Sequence, residues 1–210
     1  MLLATPLEVV TAPPPVVVQA YTESLCIDCK RFVENTLSPT YKKLGPTVID
    51  LQIVPFGNAK IDKLEQTVTC QHGKAECDAN SWEQCAVEQY QAPTYLEFIG
   101  CLEGELPMGS KDQPFSESIF SNCADSAGID FSILKKCHDN PLMSWMLQLE
   151  YAKKTPADHT FVPWVLINGN FFDEEKDDFL QMICKEYSIN GGTHPECDSV
   201  LGKNTPTGLN

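Results

Sequence analysis

Residues 16–21, Val-Val-Val-Gln-Ala-Tyr, form a β-branched apolar run long enough for a buried strand. A helical pattern follows, with Phe32, Val33 and Leu37 spaced along one face; Pro39 and Gly45-Pro46 are expected to end it. Residues 48–54 alternate, with Ile49, Leu51 and Ile53 set against Asp50 and Gln52, which predicts a second strand. Strand, helix and strand together are the size of one βαβ unit. From about residue 59 to 155 strand patterns vanish and the apolar spacing turns helical. Trp82, Ala86 and Tyr90 fall at i, i+4 and i+8, and Tyr95, Phe98, Ile99 and Leu102 continue that face beyond Pro93. Asn140 is placed to cap a helix with Pro141 at its first position, and Leu142, Met146 and Leu149 are expected to line its stripe. Strand character returns over 162–167, Asn168-Gly169 signals a hairpin turn, and 170–172 would be the return strand. Asp177 or Asp178 can open a last helix running to about residue 187. Phe32, Trp145 and Phe179 are expected in the core.

This order predicts an α/β sheet interrupted by a helical block. The expected divisions are an extended tail over 1–15, a discontinuous domain over 16–58 and 158–190, a helical insertion over 59–157, and a tail over 191–210 pinned by Cys197. Residues 1–15 lack a basic start and their apolar stretch is broken by Pro6, so they do not read as a signal peptide.

Composition narrows the partners. The 15 basic residues face 29 acidic ones, for a net charge of −14, so a nucleic-acid surface is not expected. The same charge weakens contact with anionic lipid, and no apolar run approaches the length of a membrane span.

Cysteine changes the picture most. There are ten, and an even count this high in an acidic chain reads as a disulfide framework, which points to an oxidising compartment. Cys26-Ile27-Asp28-Cys29 stands apart, because it follows a strand and opens a helix. Disulfide exchange needs an accessible thiolate and a second thiol to resolve the mixed disulfide. A helix start supplies orphan N–H groups and partial positive charge, so the thiol of Cys26 should ionise below the free value, with Cys29 one turn on as the resolving group. Asp28 opposes this, since a neighbouring carboxylate disfavours a thiolate. Glu23 and Asp50 are candidate proton shuttles, although a solvated face or turn explains them equally well. A zinc reading would need Cys70 with His72 or Cys137 with His138, neither at the usual finger spacing, and no metal site is expected. Val162-Pro163-Trp164 opens a later strand; Pro163 fits there with a cis bond facing the active pair, or as an edge-strand proline.

The segment Cys70-Gln71-His72-Gly73-Lys74-Ala75-Glu76-Cys77-Asp78-Ala79-Asn80-Ser81-Trp82-Glu83-Gln84-Cys85 has the form CQHG-x2-EC-x2-N-x4-C. It resembles the signature of the gamma-interferon-inducible lysosomal thiol reductases. Residues 21–26 resemble that family's approach to its active pair, Val162-Pro163-Trp164 with Asn168-Gly169 resembles its cis-proline segment, and Cys184 with Cys197 resembles its ending. The resemblance covers about residues 16–197. It implies a thioredoxin-like fold interrupted by a disulfide-stapled helical insertion, and reduction of protein disulfides at acidic pH. It carries over Cys26 and Cys29 as the catalytic pair and Val162 and Pro163 as the substrate-binding segment.

The resemblance also implies no cofactor, a small thiol such as cysteine as electron donor, disulfide-containing proteins as substrates, and a lysosomal or endosomal setting; a vacuolar or extracellular setting stands as the alternative, because the chain departs from the family's glycosylated pattern. No N-glycosylation sequon occurs. Within the signature, Cys70, Cys77 and Cys85 are expected to staple the insertion, with Gln71, Gly73, Glu76 and Asn80 structural, and His72 either a proton donor or a local backbone partner. Cys184 and Cys197, thirteen residues apart, are the best candidate for one disulfide; the other pairings stay open. The alternative function is a redox-silent secreted binding protein on the same scaffold, in which Cys26 would be inert.

Overall fold

The computed structural model describes residues 12–109 and 112–203; the tails expected at either end lie outside it over residues 1–11 and 204–210. Strand β1 (Val16–Thr22) carries the apolar run, and Val16, Val18 and Ala20 are fully buried. The chain then winds through α1 (Ile27–Phe32), a π-helical turn (Val33–Leu37) and α2 (Ser38–Leu44), and returns as β2 (Ile49–Pro55) parallel to β1, with Val18 opposite Leu51. Late in the chain β5 (Trp164–Ile167) joins the other side of β1 antiparallel, and β6 (Asn170–Phe171) turns back on it, giving the order β2-β1-β5-β6. Asn168 and Gly169, both at positive φ, make that turn. β1 is therefore an inner strand, flanked by β2 and β5, and the turn leaving its C-terminal end starts from the middle of the sheet.

Pro39 does not end the first helical region. In a regular helix its ring would meet the carbonyl one turn back. Here Ser38 N–H donates to the Val33 carbonyl five residues back, and this wider turn lets the helix pass Pro39 and run to Leu44. Gly45, at φ 71°, then closes it.

Between β2 and β5 lie α3 (Lys74–Gln89), α4 (Ala92–Glu105), α5 (Glu117–Ser126), α6 (Phe131–His138) and α7 (Pro141–Lys154). Trp82 of α3 joins three of them, stacking on Phe120 of α5 at 4.9 Å and on Phe131 and His138 of α6 at 5.3 Å and 4.0 Å. Disulfides Cys85–Cys137 and Cys101–Cys123 tie α3 to α6 and α4 to α5. The stretch expected to hold no strands contains a hairpin, β3 (Lys60–Asp62) with β4 (Thr67–Thr69); three residues per strand are too few to show a period, and only the Ile61–Val68 pair turns inward.

The stripe expected on α7 is also corrected. Leu142 and Met146 are 68% and 58% exposed, and the helix buries Leu147, Gln148 and Tyr151 instead. Two polar side chains disguise that face: Gln148 Oε1 accepts from Gln84 Nε2 at 3.3 Å, and the Tyr151 hydroxyl donates to Glu88 at 3.0 Å. Trp145 is half-buried beside Val68 and His138 rather than in the core, whereas Phe32 and Phe179 meet edge-on at 5.5 Å in the interior. After β6, α8 (Phe179–Ile189), capped by Asp178, and α9 (Pro195–Val200) are joined by Cys184–Cys197.

Candidate active site

β1 ends at Thr22, and residues 22–26 turn tightly under cover, all of them buried. Cys26 is the N-cap of α1: its Sγ accepts from Cys29 N–H at 3.3 Å, as capping side chains do. Cys26 and Cys29 are the free thiols among the described cysteines. The Cys26 thiol is lowered to about 7, chiefly by the bond from the Cys29 side chain and further by the N–H groups of Cys29 and Asp28, against the opposing effect of burial. Asp28 also opposes, as its charge dictates, but its effect is the smallest; it is exposed and pairs with Arg31 at 3.1 Å. Cys29 is fully buried, and burial holds its thiol well above the ordinary value.

The Val162–Pro163 bond is cis. Cys26 Sγ lies 3.7 Å from the Val162 carbonyl oxygen, and Cys26, Cys29 and Val162 pack as one small apolar cluster apart from the main core. A groove of about 520 Å³ opens beside them, with Val162, Pro163, Phe161 and Phe171 along it and Asp28, Asp173 and Glu174 at its rim. Trp164 lies outside this lining and meets Phe171, which is part of it, in a tilted contact at 4.3 Å, whereas Tyr21 is buried and faces a separate cleft along β2 that holds neither thiol.

The signature segment lies against the turn that presents Cys26. Asn80 Oδ1 accepts from Ser24 N–H at 2.9 Å, and the Glu76 carbonyl accepts from the Ser24 hydroxyl at 3.3 Å. Cys70 pairs with Cys77, and Gly73, at φ 93°, starts α3. Cys70 and Cys137 are both in disulfides, so neither offers a thiolate beside His72 or His138. Gln71 is exposed and its Oε1 accepts from the Asn58 side chain. His72 Nδ1 is in hydrogen-bond contact with Glu76 and lies 3.5 Å from Glu23 Oε2. Glu23 is buried and raised to about 8, first by burial and then by the charge of Glu76, while the Asn58 N–H bond pulls the other way. Asp50, paired with Gln52 on the exposed side of β2, does not join this group.

Sequence reasoning missed Glu83 and Glu103, both buried carboxyls without a hydrogen-bond partner. Burial raises both well above the carboxylate range; each also repels the other's charge or a neighbouring one, Glu76 for Glu83 and Glu83 then Cys26 for Glu103. Glu103 in turn raises Cys29. A signal existed, since Glu103 follows Ile99 by four residues on the apolar face of α4. Gly57 was missed too: a Cβ there would sit 2.1 Å from Glu23 Cγ, so only glycine lets that side chain through.

Comparison with known proteins agrees with this arrangement. Residues 17–127 match the family model described as gamma interferon inducible lysosomal thiol reductase. The chain is 34% identical over 175 residues to the gamma-interferon-responsive lysosomal thiol protein of Arabidopsis thaliana, covering 80% of this chain and 69% of that one. It is 31% identical over 201 residues to the gamma-interferon-inducible lysosomal thiol reductase of Carassius auratus, covering 91% and 75%. Among solved structures, reduced DsbA from Mycobacterium tuberculosis superposes with a TM-score of 0.64 at 16% identity, over 94% of this chain and 93% of that one. Oxidised BdbD from Bacillus subtilis gives 0.56 at 16% identity, over 86% and 89%. At such identities the structures show the fold, which is thioredoxin-like of the DsbA kind with a disulfide-stapled helical insertion.

Proposed function

The chain belongs to the gamma interferon inducible lysosomal thiol reductase family and is a thiol–disulfide oxidoreductase that reduces protein disulfides, and from that premise we propose that Cys26 attacks and Cys29 resolves. The Cys26 thiolate attacks one sulfur of a substrate disulfide; that S–S bond breaks, a mixed disulfide forms, and the departing substrate thiolate takes up a proton. Cys29 then loses its proton and attacks Cys26 Sγ, which releases the second substrate thiol and leaves a Cys26–Cys29 disulfide. Two electrons have passed from enzyme to substrate. Two molecules of a small thiol such as cysteine return them and leave as their own disulfide.

The observation that carries this reading is the asymmetry of the two thiols. Cys26 sits at a helix start, 8% exposed, with its thiol near 7, whereas Cys29 is fully buried with its thiol held high. A low thiol makes the better nucleophile at neutral or acidic pH, and a buried high one waits until the mixed disulfide is beside it. At pH 5 a thiol near 7 is about 1% thiolate, roughly a hundredfold more than one left at 9, which supports activity in an acidic endosomal, lysosomal or vacuolar compartment, or outside the cell. Val162 and Pro163 border the groove where an extended segment of substrate would lie, within reach of Cys26. No helix among the described residues is long and apolar enough to cross a membrane. Insulin-disulfide reduction with cysteine as donor, at pH 5 and pH 7, tests the reading: wild type reduces insulin at both, Cys26→Ser at neither, and an active Cys26→Ser variant refutes it.

A further inference from the structure

Glu23, His72 and Glu76 converge from three directions: the turn after β1, the loop before α3, and the first turn of α3. One ligand atom from each, Glu23 Oε2, His72 Nδ1 and a Glu76 carboxylate oxygen, lies within 4.8 Å of the other two. Both carboxylates are held by their outer oxygens. Glu23 Oε1 accepts from Asn58 N–H, and Glu76 Oε1 accepts from His72 N–H at 2.9 Å. Their inner oxygens are thereby aimed at one imidazole nitrogen. That nitrogen can donate a single hydrogen bond, which Glu76 takes. Glu23 Oε2 is left buried, unpartnered and facing the cluster. A buried carboxyl oxygen without a hydrogen-bond partner is costly, and a cation that took the place of the carboxyl proton would supply one.

We propose that Glu23, His72 and Glu76 form a binding site for a divalent cation of the zinc class. The donor set is one imidazole nitrogen and two carboxylate oxygens, which suits zinc better than magnesium or calcium, both of which favour all-oxygen sites. Spacing agrees. Tetrahedral bonds of about 2.1 Å put ligand atoms roughly 3.4 Å apart, and His72 Nδ1 stands 3.5 Å from Glu23 Oε2. The Glu76–His72 hydrogen bond opens to admit the ion, since ligand atoms on one tetrahedral centre stand farther apart than hydrogen-bonded ones. The backbone N–H groups of Asn58 and His72 act as the outer support that fixes ligand orientation. Three protein ligands leave a fourth position for water, and the His72 side chain, partly exposed where the carboxylates are not, marks the way in. The site neighbours Cys26 in sequence but shares no ligand with it, and the proposal does not depend on the roles of Cys26 and Cys29.

The test uses the full chain in its Cys26–Cys29 disulfide form, so that no thiolate competes for metal. Zinc chloride is titrated at pH 7.5 by calorimetry and thermal melting. Wild type is expected to bind one equivalent and melt at higher temperature. Glu23→Gln, His72→Asn and Glu76→Gln are each expected to weaken binding by tenfold or more. His138→Asn is expected to bind as wild type; His138, between Asp78 at 2.9 Å and Asp139 at 3.0 Å, is a second histidine–carboxylate group that controls for adventitious zinc. Glu23→Gln keeps its shape and its acceptor for Asn58 N–H, so it decides the matter if Glu76→Gln does not fold. Absence of binding in a large zinc excess, binding unchanged in Glu23→Gln, or binding lost only in His138→Asn overturns the proposal.

Discussion

Replacing Cys29 by alanine tests what makes Cys26 acidic. The largest contribution to the lowered Cys26 thiol is the hydrogen bond from the Cys29 side chain; the Cys29 and Asp28 N–H groups add to it, and burial opposes. A hydrogen bond to a charged group contributes about 1.5–3 kcal/mol, and one pKa unit corresponds to about 1.4 kcal/mol. Cys29→Ala should therefore raise Cys26 by roughly one to two units from its value of about 7. At pH 6 the thiolate fraction falls from about a tenth to about a hundredth or less. Cys29→Ser keeps a donor and should stay near 7. The assay is the pH profile of iodoacetamide alkylation of the reduced protein, with the labelled residue identified by mass spectrometry. The inflection must be read rather than one rate, because a more basic thiolate is also more nucleophilic, which partly hides the loss at fixed pH. An unshifted inflection in Cys29→Ala would mean that the backbone N–H groups and the helix start hold the thiolate by themselves. An equal rise in both variants would mean that packing, not the bond, sets the value.

Three further outcomes are expected. Glu83 and Glu103 are raised by burial, so they stay protonated in the fold at pH values where the unfolded chain ionises them. Each then adds up to about 1.4 kcal/mol of stability per pH unit lowered, from its raised value down to the ordinary carboxylate range, so the melting temperature rises from pH 7.5 to 5.5. Glu83→Gln/Glu103→Gln should flatten part of that rise; Glu23, raised to about 8, contributes the rest, and a rise that the double variant leaves unchanged is set by Glu23 and by general relief of the −14 net charge instead. Gly57→Ala forces a Cβ to within 2.1 Å of Glu23 Cγ at φ 54°, and should cost about 2–4 kcal/mol in denaturant unfolding, an unchanged midpoint counting against the close approach. Asn80→Ala strands the buried Ser24 N–H, and should cost about 1–3 kcal/mol and slow insulin reduction, whereas full activity would show that the Cys26 turn holds without α3.

How far the sequence could be read depended on where each signal was local. The strands β1 and β2 and the helix starts at Asn140 and Asp178 were legible, because period and cap are written in neighbouring residues. The π-helical turn before Pro39 was not, since proline ordinarily marks a break and the accommodation is made by the five residues ahead of it. The stripe of α7 was misread because its buried face carries Gln148 and Tyr151, whose partners Gln84 and Glu88 lie on α3, some sixty positions away. At the site, Cys26 and Cys29 announced themselves by spacing. What Asn80 and Gly57 do became visible only when α3 and the loop after β2 were placed against the turn after β1. His72 and Glu76, one turn apart in the signature, gave no hint that Glu23 would be the third member of their group.

The most direct test of the central claim is to trap the mixed disulfide. Cys29→Ser, incubated reduced with a disulfide-bonded protein at pH 5 and 7, should accumulate a covalent adduct whose only intermolecular link, by peptide mapping, runs through Cys26, while wild type turns over without one. An adduct through another cysteine, or none from a Cys29→Ser protein whose wild-type parent reduces the same substrate, would contradict the assignment of Cys26 as attacker and Cys29 as resolver.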